Sequence, residues 1–321
     1  MNTAVIFEPV QKDMLLVEEQ LQSIARVEFP ILSELLSYVL QSKGKRIRPA
    51  ITLLVGKLNE YDLNLLIPIA TAVEALHTAT LVHDDMIDNA PIRRGRPTLN
   101  SAWNKGSAVL AGDFLFAKSA EFAAMTDNIR ITRLFARTIM IICSGELRQM
   151  FEEFDWEHGK DDYFKKIESK TAALFASAAE SAAILSAAPE KSVSVLRDYG
   201  MALGMAFQIV DDILDFVGDQ EVLGKPVGND LLQGTITLPA ILLAERYPDD
   251  FDPKKLFRNG GNEQAAQRAI EMIRNSVIIE DCYVIARRYA NLARESILSL
   301  PSSPHAFPLI ALVDNVVERR L

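Results

Sequence analysis

The sequence predicts an all-α protein whose helices form a bundle in a single domain spanning residues 1–321. Hydrophobic residues make up 49% of the chain, enough for a large core. Alanine-rich segments such as residues 172–179 have a high helix propensity, whereas runs of alternating β-branched residues, which would indicate strands, are scarce. Long segments with helical periodicity alternate with short breaks, and this alternation is typical of a helical bundle.

In chain order, the periodicity predicts helices over residues 13–40, 65–88, 105–125, 130–154, 161–187, 192–216, 236–246, 263–275 and 279–298. An apolar helix is also expected directly after the basic segment 44–49. The breaks are short, and the longest of them, residues 218–234, is rich in glycine. The chain contains no internal repeat, low-complexity tract or long linker, and we therefore expect one domain.

The composition argues against several classes of protein. A formal net charge of −9 disfavours a nucleic-acid partner. The two cysteines lie far apart and indicate neither a disulfide framework nor a zinc site, which fits a reducing, cytoplasmic location. The N-terminus lacks the pattern of a signal peptide. No run of about 20 uninterrupted apolar residues predicts a transmembrane segment.

The most informative feature is an acidic motif, D-D-x-x-D, that occurs twice in apolar helical segments. Its carboxylates are Asp84, Asp85 and Asp88 in the first copy and Asp211, Asp212 and Asp215 in the second. Because positions i and i+4 share a helix face, the first and last aspartate of each copy should point the same way. A single copy would more often be solvated surface, but charges rarely enter apolar segments unless they are paired or bind a metal. Two such helices could hold a diphosphate through Mg²⁺, which prefers hard oxygen ligands.

Basic residues occur in four short clusters near these motifs in the sequence. The clusters contain Lys45, Arg46 and Arg48; Arg93 and Arg94; Lys170; and Lys225. Any one of them alone would be interpreted as a solvated loop. Together with the aspartates they indicate two diphosphate sites, one held through Mg²⁺ and the other by Arg and Lys directly. His77, two turns before Asp84, is either a core residue or an imidazole donor to a phosphate.

Taken in order, these motifs resemble those of the trans-isoprenyl diphosphate synthases. The matching segments are Gly44-Lys45-Arg46-x-Arg48-Pro49, His77, Asp84-Asp85-x-x-Asp88, Arg93-Arg94-Gly95, Lys170-Thr171, Phe207-Gln208-x-x-Asp211-Asp212-x-x-Asp215 and Gly224-Lys225. The resemblance runs from about residue 40 to 240, and residues 316–321 also look like the family's C-terminal end. It implies an all-α bundle around a deep central cavity, usually a homodimer, that condenses isopentenyl diphosphate with an allylic diphosphate.

The resemblance also implies a role for each motif. The chief ligands of three Mg²⁺ ions would be Asp84, Asp88 and Asp211, with Asp85, Asp212 and Asp215 in support. The allylic diphosphate would be gripped by Arg93, Lys170 and Lys225. Isopentenyl diphosphate would be held by Lys45, Arg48, His77 and Arg94. Catalysis would involve Lys170 together with the oxygens of Thr171 and Gln208, which would face the developing carbocation. The chain departs from the family pattern at Thr235, where many members have a lysine.

Product length in this family depends on the residues four and five positions before the first aspartate, where short-chain enzymes have large aromatic side chains. Here these positions hold Thr80 and Ala79, which are small. We therefore expect the growing chain to pass this level and give a product of about C30 or longer, such as a quinone side-chain precursor. A C20 geranylgeranyl product is the alternative.

Three other functions share part of the pattern. A class I terpene cyclase would normally show a different second metal motif and would lack the cluster around Lys45 and Arg48. A non-catalytic helical subunit would have degraded aspartates, whereas all six are intact. A plain acidic helical scaffold would explain the composition but not the basic clusters. The synthase is therefore the leading hypothesis.

Overall fold

The computed structural model describes residues 3–42, 44–152, 159–218, 226–253 and 263–319, without the side chains of Glu152 and Glu263. In this part of the chain the α-helices are α1 (Thr3–Ile6), α2 (Gln11–Ser23), α3 (Pro30–Leu40), α4 (Ile47–Gly56), α5 (Leu63–Ile87), α6 (Leu99–Ala102), α7 (Lys105–Ala124), α8 (Ile129–Glu152), α9 (Lys160–Ile167), α10 (Ala173–Leu185), α11 (Glu190–Val217), α12 (Asn229–Leu232), α13 (Leu238–Arg246), α14 (Glu263–Arg274), α15 (Ile278–Leu298) and α16 (Phe307–Val317). Short 3₁₀ turns cover Glu8–Val10 and Pro304–Ala306, and a π-helical turn covers Glu168–Ala172. The all-α fold class is confirmed.

The helix predicted over residues 13–40 is wrong as a single element, because it is two helices. Helix α2 ends at Ser23 and α3 begins at Pro30. Phe29, directly before this proline, has an extended backbone, φ −81° and ψ 111°. The proline ring disfavours helical backbone at the preceding residue, so the chain must leave one helix before it starts the next.

The loop that follows the first acidic motif contains a small hairpin. Strands β1 (Ile92–Arg93) and β2 (Arg96–Pro97) pair antiparallel, with Arg93 opposite Arg96. The two residues of the turn, Arg94 and Gly95, both have positive φ, 51° and 74°. Such values are typical of the tight hairpin turns whose twist matches the strands. The hairpin thereby fixes Arg93 and Arg94 beside the end of α5.

Helix α10 sets the distance between the two helices that carry the acidic motifs, because it packs against both α5 and α11. Its contact with α11 is close at two glycines. A Cβ atom at Gly204 would lie 2.6 Å from Cα of Ala172, and one at Gly200 would lie 2.5 Å from the carbonyl oxygen of Phe175. The absence of a side chain at both positions lets the α11 backbone approach the π-helical turn and the start of α10.

Among the described residues, α5 is the helix that is long and apolar enough to cross a membrane, by length and composition. However, 72% of its most apolar window is buried inside the fold. It packs there against α2, α4, α7 and α10, and this burial accounts for its apolar composition.

Candidate functional site

Both acidic motifs lie where the sequence places them, at the C-terminal ends of long helices. Helix α5 ends at Ile87 with Asp88 as its C-cap, and α11 ends at Val217. The C-terminal end of a helix carries the negative end of the helix dipole, which disfavours further negative charge. The carboxylates therefore add repulsion to the fold at these positions unless cations offset it.

The two motifs are joined by two consecutive residues, Lys170 and Thr171, in the π-helical turn. Nζ of Lys170 lies 3.8 Å from Oδ2 of Asp84 in the first motif. The hydroxyl of Thr171 donates a 2.7 Å hydrogen bond to Oε1 of Gln208, and Nε2 of Gln208 donates to Asp212 at 2.8 Å. Single π-helical turns are frequent at functional sites. Here Lys170 contacts the first motif directly, and the neighbouring Thr171 reaches the second motif through Gln208.

In the first motif, Asp84 is largely buried, with a side chain 14% exposed. Burial raises the pKa of Asp84 to about 6; Lys170 opposes this rise, and Glu146 and Asp88 add to it. Asp85 accepts a 2.6 Å hydrogen bond from Nε of Arg93, yet burial still raises its pKa. Burial thus favours the protonated form of both carboxyls, whereas a bound cation would favour the ionised form.

Lys170 is held by a second carboxylate that the sequence did not single out. Its Nζ lies 2.9 Å from Oε1 of Glu146 on α8. Burial alone would lower the pKa of Lys170, but Asp84 and Glu146 outweigh burial and raise it. Gly145, next to Glu146, allows this approach, because a Cβ there would lie 2.3 Å from Oγ of Ser169.

In the second motif, the three carboxylates have different surroundings. The side chain of Asp211 is 51% exposed, and Nη1 of Arg319 lies 3.8 Å from its Oδ1. Asp212 is buried, and burial raises its pKa to about 7 although Tyr163 and Gln208 donate hydrogen bonds to it. Asp215 is buried and accepts a 3.1 Å bond from the backbone N–H of Asp230. Asp211 is therefore the most exposed carboxylate of this motif.

The residues expected at the second diphosphate site also come together. Arg94 lies against the segment that carries Lys45, since a Cβ at Gly44 would lie 3.0 Å from Nη1 of Arg94. Arg48 packs over the ring of Phe175, 4.5 Å from its centroid. Its buried Nε has no hydrogen-bond partner, and burial lowers its pKa to about 10.

His77 and the hairpin arginines line one cleft. The walls of this cleft include His77, Asp85, Arg93 and Arg94. Burial and the nearby Arg48 and Arg94 keep the pKa of His77 well below its usual range. The neutral imidazole still carries one N–H that can donate to a phosphate oxygen.

Arg46, in the same basic cluster, also lines the cleft, but two carboxylates already bind its guanidinium. Its guanidinium pairs with Glu74 at 2.7 Å and Glu18 at 3.1 Å, so its role is structural. Lys225 lies outside the described residues.

Sequence reasoning missed Glu146, Tyr163, Lys166 and Arg319. Burial lowers the pKa of Lys166, which faces Asp212; Arg319 also stacks on Phe207, 4.9 Å from the ring centroid.

The carboxylates do not enclose a metal by themselves. Within the described ranges, no group of three or more His, Cys, Asp or Glu side chains is arranged to hold an ion. The available donors are oxygens of aspartates on two helices, which suit Mg²⁺ in chemistry. Mg²⁺ usually keeps several ligands from water and substrate phosphates, and an ion shared with a diphosphate fits this arrangement.

The two chain-length positions differ in exposure. Ala79 is fully buried in the core, whereas Thr80 is half-buried and donates its hydroxyl to the carbonyl oxygen of His77 at 2.8 Å. On α7, Phe116 lies against His83 of α5, with ring centroids 5.3 Å apart. Thr80, which is four residues before Asp84 and shares its face, is thus the more accessible of the two.

The sequence and the fold of the chain are similar to those of named proteins along almost their whole length. A family model described as polyprenyl synthetase matches residues 29–277. A prenyl transferase from Synechocystis sp. is 39% identical over 99% of both chains. Heptaprenyl diphosphate synthase component 2 from Bacillus subtilis is 36% identical over 96% of this chain and 88% of its own. The crystal structure of a decaprenyl diphosphate synthase from Rhodobacter capsulatus superposes with a TM-score of 0.91 at 34% identity, covering 99% of each chain.

Proposed function

The chain belongs to the polyprenyl synthetase family and is a prenyltransferase that makes a long-chain all-trans polyprenyl diphosphate, and we propose that it does so on two diphosphate sites between α5 and α11. Similar proteins carry the names of heptaprenyl, octaprenyl and solanesyl diphosphate synthases. Geranylgeranyl synthases occur among the similar structures at 30% identity or less, with TM-scores of 0.88 or below. A product of about C30 or longer is therefore favoured over C20.

The observation that carries this proposal is the contact of Lys170 with the first motif and of Thr171 with the second through Gln208. A scaffold protein would have no reason to place these side chains at the acidic ends of two helices. The arrangement suits a substrate whose diphosphate binds at the two acidic motifs and whose reacting carbon lies next to Thr171 and Gln208.

We propose that the allylic diphosphate binds at the two motifs. Asp84, Asp88 and Asp211 would hold Mg²⁺ in the three-ion cluster that the resemblance implies. Asp85, Asp212 and Asp215 would support them, and the hydrogen bonds of Asp212 indicate that its support is indirect. When bound, Mg²⁺ would neutralise the charge that develops on the departing diphosphate. Arg93, Lys170 and Lys225 would grip the same group.

Isopentenyl diphosphate would bind beside it, held by Lys45, Arg48, His77 and Arg94. Arg48 supports this assignment best, because its buried Nε lacks a partner and a phosphate oxygen would supply one. The pKa of Lys45 is lowered by burial and by Arg319, while Asp211 opposes the shift. Lys45 therefore lies where the two diphosphate sites meet.

The reaction then needs little further chemistry from the protein. The carbon–oxygen bond of the allylic diphosphate breaks, and diphosphate leaves with the electron pair. The double bond of isopentenyl diphosphate attacks the allylic cation, forming a carbon–carbon bond. The new cation loses a proton to the departed diphosphate, which restores a double bond. Oxygens of Thr171 and Gln208 would stabilise the cations, and apolar walls would exclude water.

We propose a homodimer in the cytoplasm. Helices α7 and α8 carry large apolar side chains that are exposed in the single chain: Leu110, Ile129, Met140, Ile141, Leu147, Met150 and Phe151. Exposed apolar patches of this kind mark interaction surfaces. We propose that a second copy of the chain covers α7 and α8, since the resemblance implies a homodimer.

The full-length protein, isopentenyl diphosphate, a C15 allylic diphosphate and Mg²⁺ test the proposed function. We expect long-chain products with Mg²⁺ and none with EDTA. Asp84→Ala or Asp211→Ala should lower the rate about 100-fold or more. Asp198→Asn is the matched control, because Asp198 is an exposed carboxylate on the same helix as Asp211. Condensation in EDTA, or near-native rates in both site variants, would contradict the proposal.

A further inference from the structure

Tyr163 on α9 is given no role in the reaction described above, yet its hydroxyl contacts an aspartate of the second acidic motif. The side chain is buried, with 4% of its surface exposed. Its Oη donates a 2.6 Å hydrogen bond to Oδ2 of Asp212. Burial and the neighbouring Asp212 hold the pKa of Tyr163 well above its usual range, so the phenol remains a donor at neutral pH.

Both oxygens of Asp212 are engaged in this network. Oδ2 accepts from Tyr163, and Oδ1 accepts from Nε2 of Gln208 at 2.8 Å. Asp212 itself is only 4% exposed. The carboxylate is thus directed into a pair of protein donors.

The hydrogen bonds of this network run in one direction when Asp212 is ionised. An ionised carboxylate only accepts hydrogen bonds, so Nε2 of Gln208 donates to Asp212. Its carbonyl oxygen then faces Thr171, whose hydroxyl must donate to it, as the 2.7 Å contact shows. A hydroxyl has a single proton, so Thr171 keeps only lone pairs for any other neighbour.

We propose that Tyr163 is a positioning residue for the condensation. Its hydroxyl fixes the position of Asp212, and Asp212 orients the amide of Gln208. Because this amide accepts the proton of the Thr171 hydroxyl, Thr171 presents lone pairs to the allylic cation. The inference rests on the proposed function for the identity of the cation. The hydrogen bonds that join Tyr163, Asp212, Gln208 and Thr171 do not depend on that function.

Loss of the phenol hydroxyl would leave Oδ2 of Asp212 without its donor. The carboxylate could then rotate and the Gln208 amide could flip. A flipped amide would donate to the oxygen of Thr171, and the hydroxyl proton would be free to point at the cation. A hydrogen bond to a charged group contributes about 1.5–3 kcal/mol, which corresponds to roughly 10-fold to 150-fold in rate.

The test compares Tyr163→Phe with Tyr199→Phe. Tyr199 is the matched control, because it is also a fully buried tyrosine, and its hydroxyl donates to the carbonyl oxygen of Leu309 at 3.0 Å, outside the site. Tyr163→Phe should lower kcat about 10-fold or more while KM for each diphosphate changes less than about threefold. Tyr199→Phe should keep kcat and lose only stability. Equal kcat values in wild type and folded Tyr163→Phe, or equal losses in both variants, would overturn the proposal.

A double-mutant cycle between Tyr163→Phe and Thr171→Val gives a measure that needs no activity. The two side chains are joined through Asp212 and Gln208 by the hydrogen bonds described. Their effects on the unfolding equilibrium constant should therefore be non-additive by about twofold or more. Additive effects would overturn the network even in an active enzyme. Coupling in a protein that fails to condense the substrates would keep the network and reject the proposed function instead.

Discussion

Replacing Thr80 with phenylalanine tests how far the product chain runs into the bundle. Thr80 lies four residues before Asp84, about 6 Å along the axis of α5, and it is partly accessible. A phenyl ring would occupy the space directly below the first motif. Because the metal ligands lie more than one turn away, the first condensation should survive and later ones should stop.

The structure separates this effect from simple damage to the fold. Thr80→Phe removes one hydrogen bond to the carbonyl oxygen of His77, which contributes about 0.5–1.5 kcal/mol. Ala79 has no exposed surface, so Ala79→Phe would overpack the core at a cost of about 1–3 kcal/mol or more. Both variants should shorten the product toward C15–C20, but Ala79→Phe should also lower Tm clearly.

Product chromatography together with thermal unfolding gives both quantities. Thr80→Val is the matched control, since it removes the same hydroxyl without adding bulk, and its product should keep the wild-type length. If folded Thr80→Phe makes chains as long as the wild type, this wall does not line the path of the growing chain.

Three further predictions concern charge at the site. Glu146→Gln should weaken the hold on Lys170 and raise KM for the allylic diphosphate about threefold to tenfold, on the scale of one partly buried ion pair; an unchanged KM in steady-state kinetics would show that Glu146 does not position Lys170. Thr235→Lys should tighten allylic diphosphate binding by about 1 kcal/mol, and calorimetry showing equal or weaker binding would place residue 235 away from the phosphates. Burial raises the pKa of Asp84 to about 6 in the fold, against about 3.9 in an unfolded chain, so folding favours its protonated form. Lowering the pH from 7 to 4 should therefore stabilise the metal-free protein more than an Asp84→Asn variant, and parallel Tm curves would contradict this.

The sequence predicts the elements and the chief site residues because their signals are local. Helical periodicity and the spacing of each D-D-x-x-D motif depend only on neighbouring residues. The expected positions of both motifs at helix ends agree with the ends of α5 and α11. The break before Pro30 also had a local signal, which the periodicity of the surrounding apolar residues outweighed.

The partners of the site residues could not be predicted in the same way. Tyr163 and Asp212 are 49 residues apart and meet only because α9 packs beside α11. Glu146 reaches Lys170 from α8, and Arg319 returns from the C-terminal end to Asp211. Such contacts depend on how helices pack, and a single sequence carries no local pattern for them. The π-helical turn at residues 168–172 was likewise hidden within a segment of ordinary helical propensity.

A structure of the protein crystallised with Mg²⁺ and a non-cleavable allylic diphosphate analogue would show whether the two motifs bind one diphosphate. We expect the diphosphate between the two motifs, with Mg²⁺ bonded to Asp84 and Asp211 at about 2.0–2.1 Å and Lys170 in contact with the diphosphate oxygens. A diphosphate bound away from either motif, or one held without any metal at Asp84 and Asp211, would contradict it.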